Sequence, residues 1–249
     1  MIRWVALAYG LLCYAVFLLT FLYAIGFVGG FVVPKHIDSG IPGDAMPALV
    51  VDIALLSLFA VQHSLMARPA FKRWWTRFVP VQIERSTYVL FSSLVLVVLF
   101  AWWRPLPAMA WHVDAEPVRW LLHGLQAAGW LIVLTSTFLI SHFDLFGLRQ
   151  VWLHARRQPE PDMPFVTRAY YRFVRHPLML GFLVAFWATP EMSQGHLLFA
   201  LMTTGYILVA VKFLEERDLV AALGERYRDY QRRVPMLLPI PGRRAGAAE

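Results

Sequence analysis

The sequence has little charge and a single cysteine. Charged residues make up 16% of the 249 residues and hydrophobic residues 59%, whereas a soluble domain is about a quarter charged. Cys13 cannot form a disulfide within the chain, and its thiolate is disfavoured because it lies in an apolar run. We expect no signal peptide, because the first apolar run is far longer than a signal core and lacks a small-residue cleavage site. These shortages indicate an integral membrane protein.

Several functional patterns are also missing. No internal repeat is visible, which weakens the case for a transporter built from inverted halves. No glycine-rich fingerprint follows a strand, which argues weakly against a nicotinamide-dependent membrane reductase. His, Cys, Asp and Glu show no specific metal-ligand spacing, and we expect no metal. The formal charge of +7 is typical of basic loops beside anionic membrane lipid, and we expect no nucleic-acid partner.

Six apolar segments follow one another along the chain. They run roughly over 4–33, 49–66, 86–103, 120–140, 178–189 and 196–213. Spanning a bilayer takes about 20 apolar residues, with about 17 as the practical minimum, so the fifth segment is short. We therefore predict an all-α polytopic membrane protein in a single domain over 1–249. It has five to six transmembrane helices, the last two forming a hairpin.

Basic residues concentrate after the second and fourth segments and in the tail. They are Arg68, Lys72, Arg73, Arg77 and Arg85, then Arg149, Arg156, Arg157, Arg168, Arg172 and Arg175, and finally Arg217, Arg226, Arg228, Arg232, Arg233, Arg243 and Arg244. Because cytoplasmic loops carry the excess of Lys and Arg, six crossings place both termini in the cytoplasm. We expect a bacterial inner membrane protein.

Polar side chains cluster at the predicted cytoplasmic ends of five segments. They are Gln62 and His63, then Glu84, Arg85, Ser86 and Tyr88, then Ser141, His142 and Asp144, then Arg175 and His176, and lastly Glu215 and Glu216. Each one alone is more often an anchor or a helix cap. Together they predict a site, because polar groups at membrane depth usually face the bundle interior or a cavity.

Two stretches outside the apolar segments have a distinctive composition. Residues 142–175 read as a long loop with aromatic residues among arginines, which is typical of a lid or binding loop, although a disordered connection is the alternative. After the last segment, apolar residues at helical spacing predict a cytoplasmic amphipathic helix from Glu215 to about Arg233. This helix lies on the membrane, lines the site, or does both.

The segment from Thr167 to Pro177, followed by Gly181, resembles the isoprenylcysteine carboxyl methyltransferase family and its bacterial relatives. So does the stretch from Glu215 to Pro239. The resemblance implies that residues 142–249 bind S-adenosylmethionine. The binding residues it implies are Gln150, Tyr171, Arg175, His176, Pro177, Gly181, Glu215, Glu216, Tyr227 and Tyr230. The chain departs from the family pattern at Met179, Leu223 and Ala169, where Tyr, Phe and Gly are usual.

Three further stretches, Gln62–Pro69, Glu84–Tyr88 and His142–Gln150, are similar to the methanethiol S-methyltransferases, relatives of the NnrU family. This narrower resemblance implies an enzyme that methylates a small volatile thiol, giving dimethyl sulfide from methanethiol. Hydrogen sulfide and other small thiols remain open as acceptors. Two other functions also remain open: carboxyl methylation of a prenylcysteine or lipid, and a non-catalytic transporter or sensor.

The donor, S-adenosylmethionine, presents groups that these residue types can bind. Arg175 can hold its carboxylate through paired hydrogen bonds, and Glu215 or Glu216 can face its amine or ribose. Tyrosines can pack on the adenine or face the sulfonium, and His176 can bond an adenine nitrogen or a backbone carbonyl. The alternative for Arg175 is an ion pair with Glu215 or Glu216 that fastens the hairpin.

The acceptor thiol should react as its thiolate, so a neutral histidine can take the proton. Our candidate bases are His142, with Asp144 as its orienting partner, and His63 as the rival. Gln62, Ser86 and Tyr88 are the candidate substrate-binding residues. Proximity of the sulfonium without any base is the alternative.

Overall fold

The computed structural model describes residues 2–161 and 165–240. Arg243, Arg244 and the ends of the predicted regions 1–249 and 142–249 therefore lie outside the described residues. The helices are α1 (Arg3–Gly29), α2 (Ala45–Ala67), α3 (Pro69–Trp75), α4 (Val81–Trp102), α5 (Glu116–Ile140), α6 (His142–Leu145), α7 (Leu148–Arg156), α8 (Pro177–Trp187), α9 (Gln194–Ala210), α10 (Glu216–Leu223) and α11 (Glu225–Arg233). A two-stranded sheet pairs β1 (Met109–His112) with β2 (Glu191–Ser193).

Five helices of the described chain are long and apolar enough to cross a membrane: α1, α2, α4, α5, and the run from Gln194 to Leu223 that contains α9 and α10. They expose large apolar side chains, such as Leu19 at 68% and Leu131 at 60%, as lipid-facing helices do. The protein is thus an integral membrane protein with a helical fold, as predicted. The fifth apolar segment forms α8, whose 11 residues extend about 16 Å, short of the roughly 30 Å hydrocarbon core.

Two predictions about the connecting stretches are wrong. Residues 142–175 are not one loop, because they contain α6, α7 and a 3₁₀ turn at Ala169–Arg172. The amphipathic tail helix is not continuous either. Gly224 adopts a φ of +58°, which glycine tolerates without a Cβ clash, and divides the tail into α10 and α11.

The chain divides into two compact units. The first comprises the described residues within 1–109, 141–162 and 193–196. In it, α1 packs against α4 and α7, and α2 packs against α4. A Cβ on Gly10 would lie 2.5 Å from a methyl carbon of Val151, so glycine allows α7 to approach α1. Arg3 donates a hydrogen bond to the carbonyl of Ala155 (3.3 Å), and α7 therefore follows the first half of α1.

The second unit comprises the described residues within 110–140, 163–192 and 197–249. Its main contact joins α5 to α8. A Cβ on Gly129 would lie 2.6 Å from the backbone nitrogen of Ala185, and one on Gly181 would lie 2.8 Å from the carbonyl oxygen of Gly129. Small residues at such a contact let two membrane helices bring their backbones close together.

Candidate active site

In the second unit, the buried carboxylate of Glu216 lies at the centre of a polar cluster. Its Oε1 accepts hydrogen bonds from Arg175 Nε at 2.6 Å and from His176 Nε2 at 3.2 Å. It also accepts one from the Tyr227 hydroxyl at 3.3 Å, while Oε2 accepts one from Gln231 Nε2 at 3.1 Å. Arg175 therefore contacts the glutamate pair, as expected. The contact is an ion pair with Glu216, which the sequence analysis gave as the alternative to binding a ligand carboxylate.

Arg175 is also tied to the segment that follows α11. Its Nη1 donates to the carbonyl oxygens of Gln231 (3.2 Å) and Val234. The backbone N–H groups of Arg175 and His176 donate to the carbonyl oxygens of Pro235 (2.9 Å) and Met236 (3.1 Å). The guanidinium therefore uses Nε and Nη1 within the fold, and paired bonds to a ligand carboxylate would require Nη2.

His176 lies between the two glutamates. Its Nδ1 is 3.5 Å from Glu215 and its Nε2 is 3.2 Å from Glu216. Burial alone lowers the pKa of His176, but the hydrogen bonds to Glu215 and Glu216 outweigh burial and raise the pKa to about 9. The ring is therefore cationic at neutral pH with both nitrogens as donors. Here both nitrogens face carboxylates, not the adenine nitrogen or backbone carbonyl expected from the sequence.

A π-helical turn, Val211–Glu215, precedes α10 and ends at the glutamate pair. Such turns are frequent at functional sites. Neighbouring helical residues point about 100° apart, yet Glu215 and Glu216 both contact the ring of His176. Their exposures differ: the Glu215 side chain is 45% exposed and that of Glu216 is 10% exposed. Glu215 is thus the carboxylate that a ligand can reach.

The three predicted site tyrosines, Tyr171, Tyr227 and Tyr230, are buried. Burial raises the pKa of each above the ordinary range of tyrosine, so all three stay neutral. Tyr230 donates its hydroxyl to the carbonyl of Tyr171 at 2.6 Å. Phe165 packs with its ring centroid 5.3 Å from that of Tyr230 and 5.9 Å from that of Tyr227. The rings of Tyr227 and Tyr230 thus form an aromatic wall beside Glu216.

Pro177 and Gly181 belong to α8. Pro177 is its first residue, where the missing N–H costs no hydrogen bond and the fixed φ suits a helix start. Gly181 faces α5 at the close contact with Gly129. The structure accounts for both residues by helix geometry and packing. Met179, where the family usually has Tyr, packs against a buried cluster that includes Ile207 and Val211.

In the first unit, the ring of His142 forms a hydrogen bond with a residue of α1. Its Nε2 lies 2.8 Å from the hydroxyl of Tyr14. His142 is 5% exposed, and burial lowers its pKa, so the ring is neutral at neutral pH. Sequence analysis missed Tyr14. The available signal is a tyrosine inside an apolar run, whose hydroxyl needs a partner when it is buried.

Asp144 does not have the arrangement expected from the sequence. Its Oδ2 accepts hydrogen bonds from Arg149 Nη1 at 2.7 Å and from the Ser141 hydroxyl. The carboxylate thus pairs with Arg149, while the His142 ring that it was expected to orient bonds Tyr14. Gln150 donates to the backbone carbonyl of Asp144 at 3.2 Å, and its own Oε1 is buried without a hydrogen-bond partner in the described chain.

His63 and two of the predicted substrate residues form a second polar group in this unit. The Tyr88 hydroxyl lies 2.9 Å from His63 Nε2, and His63 Nδ1 lies 3.2 Å from the Ser92 hydroxyl. The Gln62 amide donates to Ser92 at 3.4 Å and to the sulfur of Met66 at 3.1 Å. The structure therefore brings Gln62, His63 and Tyr88 together between α2 and α4.

Ser86 is buried beneath the turn between α6 and α7. Its hydroxyl donates to the carbonyl of Gly147 at 3.2 Å. Gly147 has a φ of +82°, and a Cβ there would lie 2.6 Å from the backbone nitrogen of Ser86. In this structure Ser86 holds the turn against α4. Among residues 2–161 and 165–240, no group of three or more His, Cys, Asp and Glu side chains is placed to hold a metal ion.

Comparison with known proteins identifies the family. The chain is 58% identical over 241 residues to methanethiol S-methyltransferase of Mycobacterium tuberculosis, covering 97% of this chain and 98% of the relative. It is 51% identical over 243 residues to methanethiol S-methyltransferase of Crocosphaera subtropica, covering 98% and 95%. Nurim of Rattus norvegicus is 34% identical over 182 residues, covering 70% and 69%. No family model and no solved structure matches the chain. The near-complete coverage at more than half identity shows that the chain belongs to the methanethiol S-methyltransferase family, as its sequence motifs predict.

Proposed function

We propose that the protein is a membrane enzyme that transfers a methyl group from S-adenosylmethionine to methanethiol, giving dimethyl sulfide and S-adenosylhomocysteine. The observation that carries this proposal is the identity of 51–58% over almost the whole chain to relatives named for that acceptor. This similarity favours methanethiol over a prenylcysteine or lipid acceptor, and an enzyme over a transporter or sensor. Hydrogen sulfide and other small thiols are further acceptors for the product assay.

The cluster around Glu216 fits the donor in charge and in chemistry. When bound, S-adenosylmethionine supplies a methyl carbon attached to a sulfonium sulfur. The positive charges of Arg175 and His176 cancel the negative charges of Glu215 and Glu216, so the four groups together do not repel a cationic ligand. Their separate charges still offer partners to a carboxylate and to an amine.

We assign different roles to the two glutamates. Glu216 accepts four hydrogen bonds within the fold, so it positions Arg175 and His176. Glu215 is half-exposed and contacts His176 on one side, so it can bind the donor's amine or ribose hydroxyls. Arg175 Nη2 makes no hydrogen bond in the described chain, so we assign it to the donor's carboxylate.

We assign proton removal from the thiol to His142. Burial lowers its pKa, so it is present as the neutral base. His63 remains the rival, although its ring already bonds Tyr88 and Ser92. The basic loops favour a cytoplasmic position for the polar helix ends, in a bacterial inner membrane.

The test is a product assay with purified protein in detergent. The protein is incubated with methyl-labelled S-adenosylmethionine and, separately, with methanethiol, hydrogen sulfide and a farnesylcysteine. Headspace gas is analysed for labelled thioethers, and the liquid phase for a labelled methyl ester. We expect labelled dimethyl sulfide from methanethiol. Absence of any labelled thioether while the donor still binds contradicts the proposal. A labelled methyl ester would show instead that the protein is a carboxyl methyltransferase.

A further inference from the structure

Tyr14 lies well inside the apolar helix α1, yet its hydroxyl contacts a histidine. It follows Arg3 by eleven residues, which is about 16 Å along the helix axis. The hydroxyl is 2.8 Å from His142 Nε2, across 128 positions of sequence. A polar contact at this depth replaces the water that either group would otherwise bind. The pair therefore fixes the position of His142 relative to α1.

Aromatic rings also restrict the His142 side chain. Its ring centroid lies 4.9 Å from that of Phe146 and 5.3 Å from that of Phe143, both in edge-to-face contact. Phe146 in turn stacks on Phe17 of α1 at 3.8 Å. These apolar neighbours hold the ring but offer no hydrogen-bond acceptor for a protonated nitrogen. Tyr14 supplies an oxygen that can accept one.

Other charged and titratable groups lie on the segment of His142 and on the helices α2 and α4. They are Asp144 and Arg149 on its own segment, His63 on α2, and Arg85 and Tyr88 on α4. Asp144 and Arg149 form an ion pair, so their charges largely cancel. His63 and Tyr88 bond each other. The hydroxyl of Tyr14 lies within hydrogen-bond distance of His142 Nε2.

We propose that Tyr14 is a positioning residue for thiol deprotonation, acting through its hydrogen bond to His142. The inference rests on the function proposed above. In the step it supports, the thiol S–H bond breaks, the proton binds a ring nitrogen of His142, and the electron pair stays on sulfur as the thiolate. Both ring nitrogens carry hydrogen in the imidazolium. Nε2 then donates to the Tyr14 oxygen, whichever nitrogen received the proton.

The test compares Tyr14→Phe with Tyr9→Phe. Tyr9 lies on the same helix, and its hydroxyl makes a comparable contact with Thr87 at 3.1 Å. A hydrogen bond to a charged group corresponds to about a 10- to 100-fold change in an equilibrium or rate. We expect Tyr14→Phe to lower kcat by about that factor and to move the acid limb of the pH profile down by about one to two pH units. Tyr9→Phe should change neither, and affinity for S-adenosylmethionine by calorimetry should be unchanged in both.

A readout independent of turnover is the titration of His142 by ¹⁵N-histidine NMR, with the signal assigned through His142→Gln. The pKa of His142 should fall in Tyr14→Phe and recover partly in Tyr14→Gln, whose amide oxygen can accept the bond. If the Phe variant does not accumulate, the Gln variant is compared with wild type in the same titration. An unchanged pKa and acid limb overturn the proposal even where turnover falls, because packing alone then explains the loss. If wild type does not methylate thiols, the proposed function is rejected. The NMR titration then decides only whether the Tyr14 hydroxyl raises the pKa of His142.

Discussion

Removing the charge of Glu216 should destabilise the second unit strongly. Glu216→Gln keeps the size of the side chain but leaves Arg175 and His176 facing each other without their shared anion. Both partners of the ion pair are only 10% exposed, and breaking a buried pair from one side costs about 3–5 kcal/mol. The matched variant Glu215→Gln removes the same charge one residue earlier. Its side chain is 45% exposed, so its loss should cost less than the loss of the Glu216 charge.

The assay is thermal unfolding in detergent, followed by calorimetric titration with S-adenosylmethionine for each variant that remains folded. For a chain of this length, each kcal/mol shifts Tm by about 2–4 °C, so Glu216→Gln should lower Tm by several degrees or more. Glu215→Gln should lower Tm by less than Glu216→Gln does and should weaken donor binding. The opposite pattern, with Glu215→Gln unstable and Glu216→Gln stable but unable to bind the donor, refutes the division of roles.

Three further predictions concern single residues. Because the pKa of His176 is raised to about 9 from an ordinary value near 6.5, its stabilising contribution is complete below about pH 6.5 and is lost as pH rises through about 9. Denaturation measured across this range should show the loss in wild type and not in His176→Gln. Gly181→Ala should destabilise by about 1–3 kcal/mol, because its Cβ would press on backbone atoms of α5, whereas Gly205→Ala, with open space around it, should be neutral or slightly stabilising in the same melts. Ala169 has a φ of +53°, so Ala169→Gly should raise stability by about 1 kcal/mol, and an unchanged or lower Tm contradicts that strain.

The sequence predicted most of the membrane architecture, because long apolar runs have few alternatives in a bilayer. It also offered an ion pair of Arg175 with Glu215 or Glu216 as the alternative to cofactor binding, and the structure contains the pair with Glu216. Ala169 illustrates a partial success: the motif expects glycine there, and the backbone indeed takes a left-handed conformation. The position was recognised, while the strain that alanine introduces became visible only in the structure.

The errors arose where tertiary contacts decide the outcome. Periodicity predicted one tail helix through Gly224, because a helical stripe does not reveal a residue with positive φ. Asp144 was assigned to His142 because both were expected at the same membrane level, but Arg149 at the start of α7 offers Asp144 a full charge. Tyr14 was overlooked because its partner is 128 positions away, a distance that no local pattern records.

The backbone bonds from Arg175 and His176 to Pro235 and Met236 have a consequence for biosynthesis. The ribosome makes residues 175 and 176 some sixty positions before their partners. Arg175 and His176 are therefore synthesised before the backbone hydrogen bonds that later hold them can form. Translation must pass residue 236 before the cluster around Glu216 can assume its final form. A nascent chain halted at α10 would already contain every charged group of that cluster and still lack the carbonyl oxygens that hold the guanidinium in place.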